Sequence, residues 1–165
     1  EDTAGSIMTI EFVDLKKEMT VADAFSHIRK TGVDKETIYT CYVTDKNRKL
    51  EGVITVKTLL LAGYDDIVGD LMDTNIIFAT TEDDKEEVAN DFNKYDFLSI
   101  PVVDREKRLV GIVTIDDAID VIQEETTEDT VVAEMCKLYP DEDEAEVRNT
   151  VKEFTAKLIE AGVLA

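Results

Sequence analysis

The sequence predicts a mixed α/β (α+β) fold made by using one small module twice. Three observations carry the prediction. The first is internal repetition: Met8 pairs with Met72, Val43-Thr44-Asp45 with Val102-Val103-Asp104, and Gly52-Val53-Ile54-Thr55 with Gly111-Ile112-Val113-Thr114. A period of about 60 residues is too long for a solenoid repeat and suits a duplicated module. The second is that both copies run through the same succession of patterns, β–α–β–β–α with a short first strand. The third is that 44% of the 165 residues are apolar, enough to bury a core, while no apolar run approaches the length of a membrane span. Two such modules pack as one pseudo-symmetric body, with ligand clefts where the halves meet.

In the first copy, Val21, Ala24, Phe25 and Ile28 recur at helical spacing. Thr20 supplies an N-cap, with Asp23 three residues on as an acidic capping box, and Gly32 stops the helix. The runs TIYTCYVT and KLEGVIT read as strands joined by the polar turn Asp45-Lys46-Asn47-Arg48. A short helix then ends near Gly63. The second copy repeats this with a helix over 84–95 carrying Val88, Ala89 and Phe92. Its strands FLSIPVVD and RLVGIVT flank the turn Arg105-Glu106-Lys107. Pro101 favours an edge strand or a strand start, because it has no N–H for a ladder. A last helix begins at Thr114.

Charge removes some function classes. Acidic residues number 38 against 18 basic ones, for a net charge of −20. Such a chain repels nucleic acid and suits a divalent cation or a basic protein surface, unless the acids serve only solubility. Cys41 and Cys136 are far apart and form no CxxC, so neither a zinc site nor a disulfide framework is expected, and a reducing compartment fits. His27 lacks partners at ligand spacing and reads as structural. No catalytic triad, phosphate loop or hydrolase carboxylate pair is present, so no enzymatic activity is expected.

The helix from Thr114, taken to run over 114–128, carries the strongest chemical signal. Ile115, Ala118, Ile119 and Ile122 share one face, and Asp117, Asp120, Glu124 and Glu128 the opposite one. Glu125 lies near the edge of that stripe; Asp116 and Asp129 add to it. No Lys or Arg occurs between Arg108 and Lys137. Like charges at i,i+3 and i,i+4 cost a few tenths of a kcal/mol per pair. Oxygen ligands without His or Cys suit Mg²⁺ or Ca²⁺. The competing reading is a solvated helix face.

The pattern Gly-h-h-Thr-x-x-Asp after a strand, preceded by LSIPVVDREKRLVG, resembles the CBS domain, and two copies resemble a CBS pair, or Bateman module, over about residues 5–125. EDTAGSIMT, KYDFLSIPVVD and VTIDDAIDVIQEETTED together resemble the cytosolic CBS region of MgtE-type magnesium transporters. The resemblance implies a cytosolic sensor that binds Mg²⁺ and locks a pore shut. It also implies a location on the cytoplasmic side of the cell membrane, with an N-terminal helical domain and a transmembrane part as partners. Carried over by position, the metal ligands are Glu86, Asp96, Asp117, Asp120, Glu125, Glu128 and Asp129. A homodimer is the default for such pairs. No nucleic acid partner and no membrane insertion by this chain itself are expected.

The same resemblance implies binding of ATP or another adenine nucleotide. The motif threonine would orient phosphate and the aspartate the ribose hydroxyls. The second copy is complete as Gly111, Thr114 and Asp117, whereas the first reads Gly52, Thr55 and Thr58. The implied nucleotide residues are Thr55, Lys57, Phe97 and Thr114. The alternative to a transporter domain is a stand-alone adenine-nucleotide-sensing adaptor that docks a protein partner through its helical tail.

From about Thr130 the resemblance ends. Two amphipathic helices follow, one with Val131, Met135 and Leu138 before Pro140, the other with Val147, Val151, Phe154 and Leu158. Asp143 with Glu146 marks a start and Gly162 a stop. This tail resembles the helical half of PqqD-like domains and reads as a packing or dimerisation element. The expected divisions are 1–64 and 65–128 for the two CBS domains, the second with its acidic helix, and 129–165 for the tail.

Overall fold

The computed structural model describes residues 2–125, 128–140 and 143–160. The chain divides into two compact units, Glu1–Ile119 and Asp120–Ala165.

The first unit contains both repeats. After the short helix α1 (Ala4–Ile7) come β1 (Asp14–Leu15), α2 (Val21–Thr31), β2 (Thr40–Thr44), β3 (Leu50–Thr55) and α3 (Val56–Leu61). The second copy repeats this as α4 (Val68–Leu71), β4 (Ala79–Thr80), α5 (Lys85–Tyr95), β5 (Ser99–Val103), β6 (Leu109–Thr114) and α6 (Ile115–Glu125), the last running across the division. Each copy makes a three-stranded sheet, ordered β1-β2-β3 and β4-β5-β6. In both, the first pair is parallel and the second antiparallel.

Local chemistry explains these elements. Thr20 accepts from the Asp23 N–H at 3.1 Å while Asp23 accepts from the Thr20 N–H at 3.1 Å, the reciprocal cap expected of α2. Asp84 plays this part for α5, accepting from the N–H groups of Glu86 and Glu87. Gly32 ends α2 but stays right-handed (φ −76°) and leads into a 3-10 turn, Gly32–Asp34. Both hairpin turns are built alike. Asp45 accepts from the N–H groups of Asn47 and Lys49, and Asp104 from those of Glu106 and Arg108. The closing residues Arg48 (φ 66°) and Lys107 (φ 62°) are left-handed in both.

Pro101 departs from expectation. Its strand β5 is central rather than an edge. However, β4 pairs only with Val102 and Val103, so no β4 residue lies opposite Pro101. The shortness of β4 makes a proline tolerable in a central strand.

Leu15, Val21, Cys41, Val43, Ile54, Leu59 and Val68 form the core of the first module. The second buries Val88, Ala89, Phe92, Ile100, Val102, Val113 and Ala118. Burial pushes the Cys41 thiol up to about 12, in keeping with an inert core thiol.

The two copies are interlocked. Thr9 bridges to Ile112 and Val53 to Asp73, so the linker of each module adds to the last strand of the other. These approaches require glycine. A Cβ on Gly52 would lie 2.5 Å from the Met72 Sδ, and one on Gly111 2.7 Å from the Met8 Sδ and 2.9 Å from the Thr9 carbonyl. Tyr42, Leu109 and Ile112 form a further cluster with Phe12, Leu50 and Val53. The Tyr42 hydroxyl meets the Ser99 hydroxyl at 2.6 Å in the interior.

The second unit holds α7 (Glu128–Leu138) and α8 (Glu144–Glu160). Val132, Val147 and Val151 are its core, flanked by Met135 and Cys136. This corrects the sequence reading of the inward faces: Val131, Leu138 and Phe154 are exposed. Three valines and a thiol define the seam, displaced about one residue from the expected stripe on α7. The side chain of Leu158, and Gly162, lie outside the described residues.

Candidate functional site

Two equivalent strand-to-helix corners hold the motif residues. At the first, Thr55 caps α3 by accepting from the Thr58 N–H at 3.1 Å, and the two hydroxyls lie 2.9 Å apart. Lys57 is exposed on the first turn. At the second, the Thr114 hydroxyl donates to Asp117 Oδ2 at 2.7 Å, and the Asp117 N–H reaches back to it at 3.5 Å. Thr114 is buried and Asp117 half-buried. Each helix is further tied to the residue that precedes the central strand of its sheet: Val56 donates to the Tyr39 carbonyl ahead of β2, Ile115 to that of Leu98 ahead of β5. The corners share a backbone but differ in chemistry, since only the second presents a carboxylate.

Phe97 is half-buried and stacks on Tyr95, with centroids 5.4 Å apart and planes 24° from parallel. The Lys94 ammonium lies 4.8 Å from the Tyr95 centroid. This aromatic pair precedes β5 directly.

The expected metal ligands occupy separate elements. Glu86 is in the first turn of α5, Asp96 is its left-handed C-cap (φ 53°), and Asp117 and Asp120 lie on α6. No group of three His, Cys, Asp or Glu that could hold a metal ion occurs among the described residues. Of the expected helix over 114–128, Ile115–Glu125 is described as α6 and Glu128 belongs to α7; residues 126–127 lie outside the described residues. The side chains of Glu125, Glu128 and Asp129 lie outside the described residues.

Two clefts of the first unit are each lined by residues of both copies, where the repeat led clefts to be expected, but their linings were not anticipated. They occupy equivalent places, each between a module's post-methionine linker and its own hairpin turn. The first, of about 240 Å³, is lined by Ile10, Phe12, Asp14, Lys35, Arg48 and Leu109 among others. The second, of about 200 Å³, is lined by Glu51, Ile76, Phe78, Val103 and Lys107 among others. The repeat alone signalled that such a pair should exist. Their linings come from segments too distant in sequence to be read together.

Comparison with known proteins follows this geometry closely. Residues 4–65 and 68–124 match the CBS domain family. The chain belongs to the CBS domain family. Its CBS pair is 43% identical over 129 residues to the magnesium transporter MgtE of Thermus thermophilus, covering 78% of this chain and 29% of the transporter. Among solved structures it resembles the cytosolic domain of the Mg²⁺ channel MgtE in complex with ATP (TM-score 0.72, 43% identity, 73% of this chain and 49% of that one). It also resembles the soluble part of a magnesium transporter (TM-score 0.76, 40% identity, 77% of this chain and 50% of that one). The chain spans less than a third of the length of the transporters it matches. It is a CBS pair of the kind found in MgtE. No described helix is long and apolar enough to cross a membrane.

Proposed function

We propose that this CBS pair is the cytosolic regulatory region of a magnesium transporter, binding Mg²⁺ through clustered carboxylates to gate transport. The observation that carries the reading is the identity to MgtE across both modules. The net charge of −20 supports it. Glu86, Asp96, Asp117, Asp120, Glu125, Glu128 and Asp129 are the proposed ligands. They act at surfaces shared with a second copy or with the transporter's other domains, where charge repulsion opens and Mg²⁺ closes the assembly. A homodimer is supported by the exposed Leu60 and Leu61 of α3 and Ile119 of α6. The proposed division remains 1–64, 65–128 and 129–165, on the cytoplasmic side of the membrane.

Thermal unfolding of the metal-stripped protein tests this, with MgCl₂ titrated against NaCl of equal ionic strength. Stabilisation specific to Mg²⁺ is expected, because the ion binds the folded clusters and not the unfolded chain. Asp120→Lys with Glu128→Lys should abolish it. Equal shifts in both salts would mean only screening.

A second reading, adenine nucleotide binding, is favoured by the relative solved with ATP. Thr55, Lys57, Phe97 and Thr114 are its proposed contacts. Calorimetry with ATP in chelator should then give binding that Thr114→Ala weakens. Undiminished binding in that variant would remove Thr114 from the site.

A further inference from the structure

The two equivalent clefts differ in charge. Three cations surround the first. Lys35 and Arg48 line it, and Lys16 stands at its edge, donating to the Thr44 hydroxyl at 2.6 Å and to Asp14 Oδ2 at 3.3 Å. Asp14 is the one carboxylate in the lining, and Lys16 is its ion-pair partner. The neighbouring carboxylate of Asp45 is already engaged by the N–H groups of Asn47 and Lys49.

Lys35 and Arg48 have no carboxylate partner among the described residues. That is unusual placement in a chain with twice as many acids as bases. Arg48 is also held in position. Its backbone is left-handed at the turn, its carbonyl accepts from Leu109, and its Nη2 donates to the Leu109 carbonyl at 3.2 Å. The rest of its guanidinium fork is free to bind an anion.

In the second cleft Lys107 takes the place of Arg48 and Phe78 that of Asp14, and Glu51 stands in the wall. Glu51 consumes Lys17 in an ion pair at 2.9 Å. The same scaffold thus yields one cleft with two cations that lack a carboxylate partner among the described residues, Lys35 and Arg48, and one with a single such cation, Lys107.

We propose that the cleft between residues 10–14 and the Asp45–Arg48 turn binds a small phosphorylated molecule. A dianionic phosphoryl group neutralises both surplus cations, whereas a carboxylate leaves one uncompensated. Arg48 supplies the planar fork that matches phosphate oxygens, and Lys35 a point charge. Ile10, Phe12 and Leu109 supply an apolar floor for the body of the ligand. Drug-sized ligands occupy roughly 300–1,000 Å³, so this cleft takes something smaller. The site is distinct from the strand-to-helix corners: none of Thr55, Lys57, Phe97 or Thr114 lines it.

Calorimetry of the full chain in chelator tests the proposal with three probes: phenyl phosphate, inorganic phosphate and benzoate. Phenyl phosphate should bind more tightly than inorganic phosphate, and benzoate least. Arg48→Asn, which tolerates the left-handed backbone, and Lys35→Gln should each weaken phenyl phosphate by about tenfold or more, the loss of a charge-assisted contact. Arg48→Lys should recover part of the loss. Lys107→Gln, the matching change in the other cleft, should leave binding unchanged. No binding of either phosphate, or equal loss in Lys107→Gln, would overturn the proposal. Loss in Thr114→Ala with none in Arg48→Asn would assign the anion to the nucleotide corner instead. The magnesium response is read separately and does not depend on either result.

Discussion

The first and second CBS modules share a backbone plan down to the irregularity in the hairpin, where the strand register shifts at Val43/Thr44 and again at Val102/Val103. Their side chains have diverged. Leu59 fills the core from α3, and its counterpart on α6 is Ala118; both are buried. Tyr42, which reaches Ser99, corresponds to Pro101. Thr58 stands where the second module has Asp117. The difference teaches that backbone pairing and glycine placement define the module, while cores and clefts can specialise.

Four changes break or sharpen that comparison. Leu59→Ala makes the first helix imitate the second and should cost the most, about 2–5 kcal/mol, because the surrounding core is shaped to a leucine. Denaturant unfolding measures it. A loss under 1 kcal/mol would mean that the modules' cores are interchangeable.

Gly111→Ala should cost about 1–3 kcal/mol. It should exceed Gly52→Ala, because its added Cβ meets the Thr9 carbonyl at 2.9 Å, while the hardest contact at Gly52 is the flexible end of Met72. Melting temperatures of the pair decide the order.

Tyr42→Phe removes a contact with no symmetric counterpart and leaves the Ser99 hydroxyl buried, at about 1 kcal/mol. It also carries a pH signature. Burial raises the Tyr42 phenol to about 12, the Ser99 hydrogen bond opposing it. The unfolded chain ionises near the ordinary tyrosine value of about 10. The phenol's contribution is therefore complete below about pH 10 and lost as pH rises toward 12. The variant should show a shallower alkaline fall in melting temperature, Cys41 supplying the remainder.

The smallest effect concerns the turns. The backbone N–H of Lys49 holds the Asp45 carboxyl below its ordinary value, and that of Arg108 does so for Asp104. Stabilisation of this sign is present above the unfolded carboxylate value and lost as pH falls through the lowered folded one. Asp104 also pairs with the Arg108 side chain at 2.7 Å. Asp104→Asn should therefore reduce acid sensitivity slightly more than Asp45→Asn, by acid titration of the melting temperature.

Much of the fold was legible because it is stated twice. Caps, hairpins and helix faces recur at matched positions, so each copy corroborates the other. The tail has no copy to check against, and there the inward face of α7 was misjudged by about one residue, Val132 replacing Val131. At the site, the resemblance singled out Thr114 and Asp117 one by one, but not that the Thr114 hydroxyl donates to Asp117. The cationic cleft was not legible either, because Lys35, Arg48 and Leu109 converge only after the sheets pair.

The crossed linkers have a consequence for the origin and integrity of the chain. Thr9 on Ile112 and Val53 on Asp73 are reciprocal contacts, the kind two identical chains make about a two-fold axis. A single ancestral module would have met its own twin through this surface, at the mercy of concentration. Joining the two copies through residues 62–67 turned that encounter into an intramolecular one. A nick in this connector should leave two fragments that stay bound to each other, each missing an edge that only the other can complete.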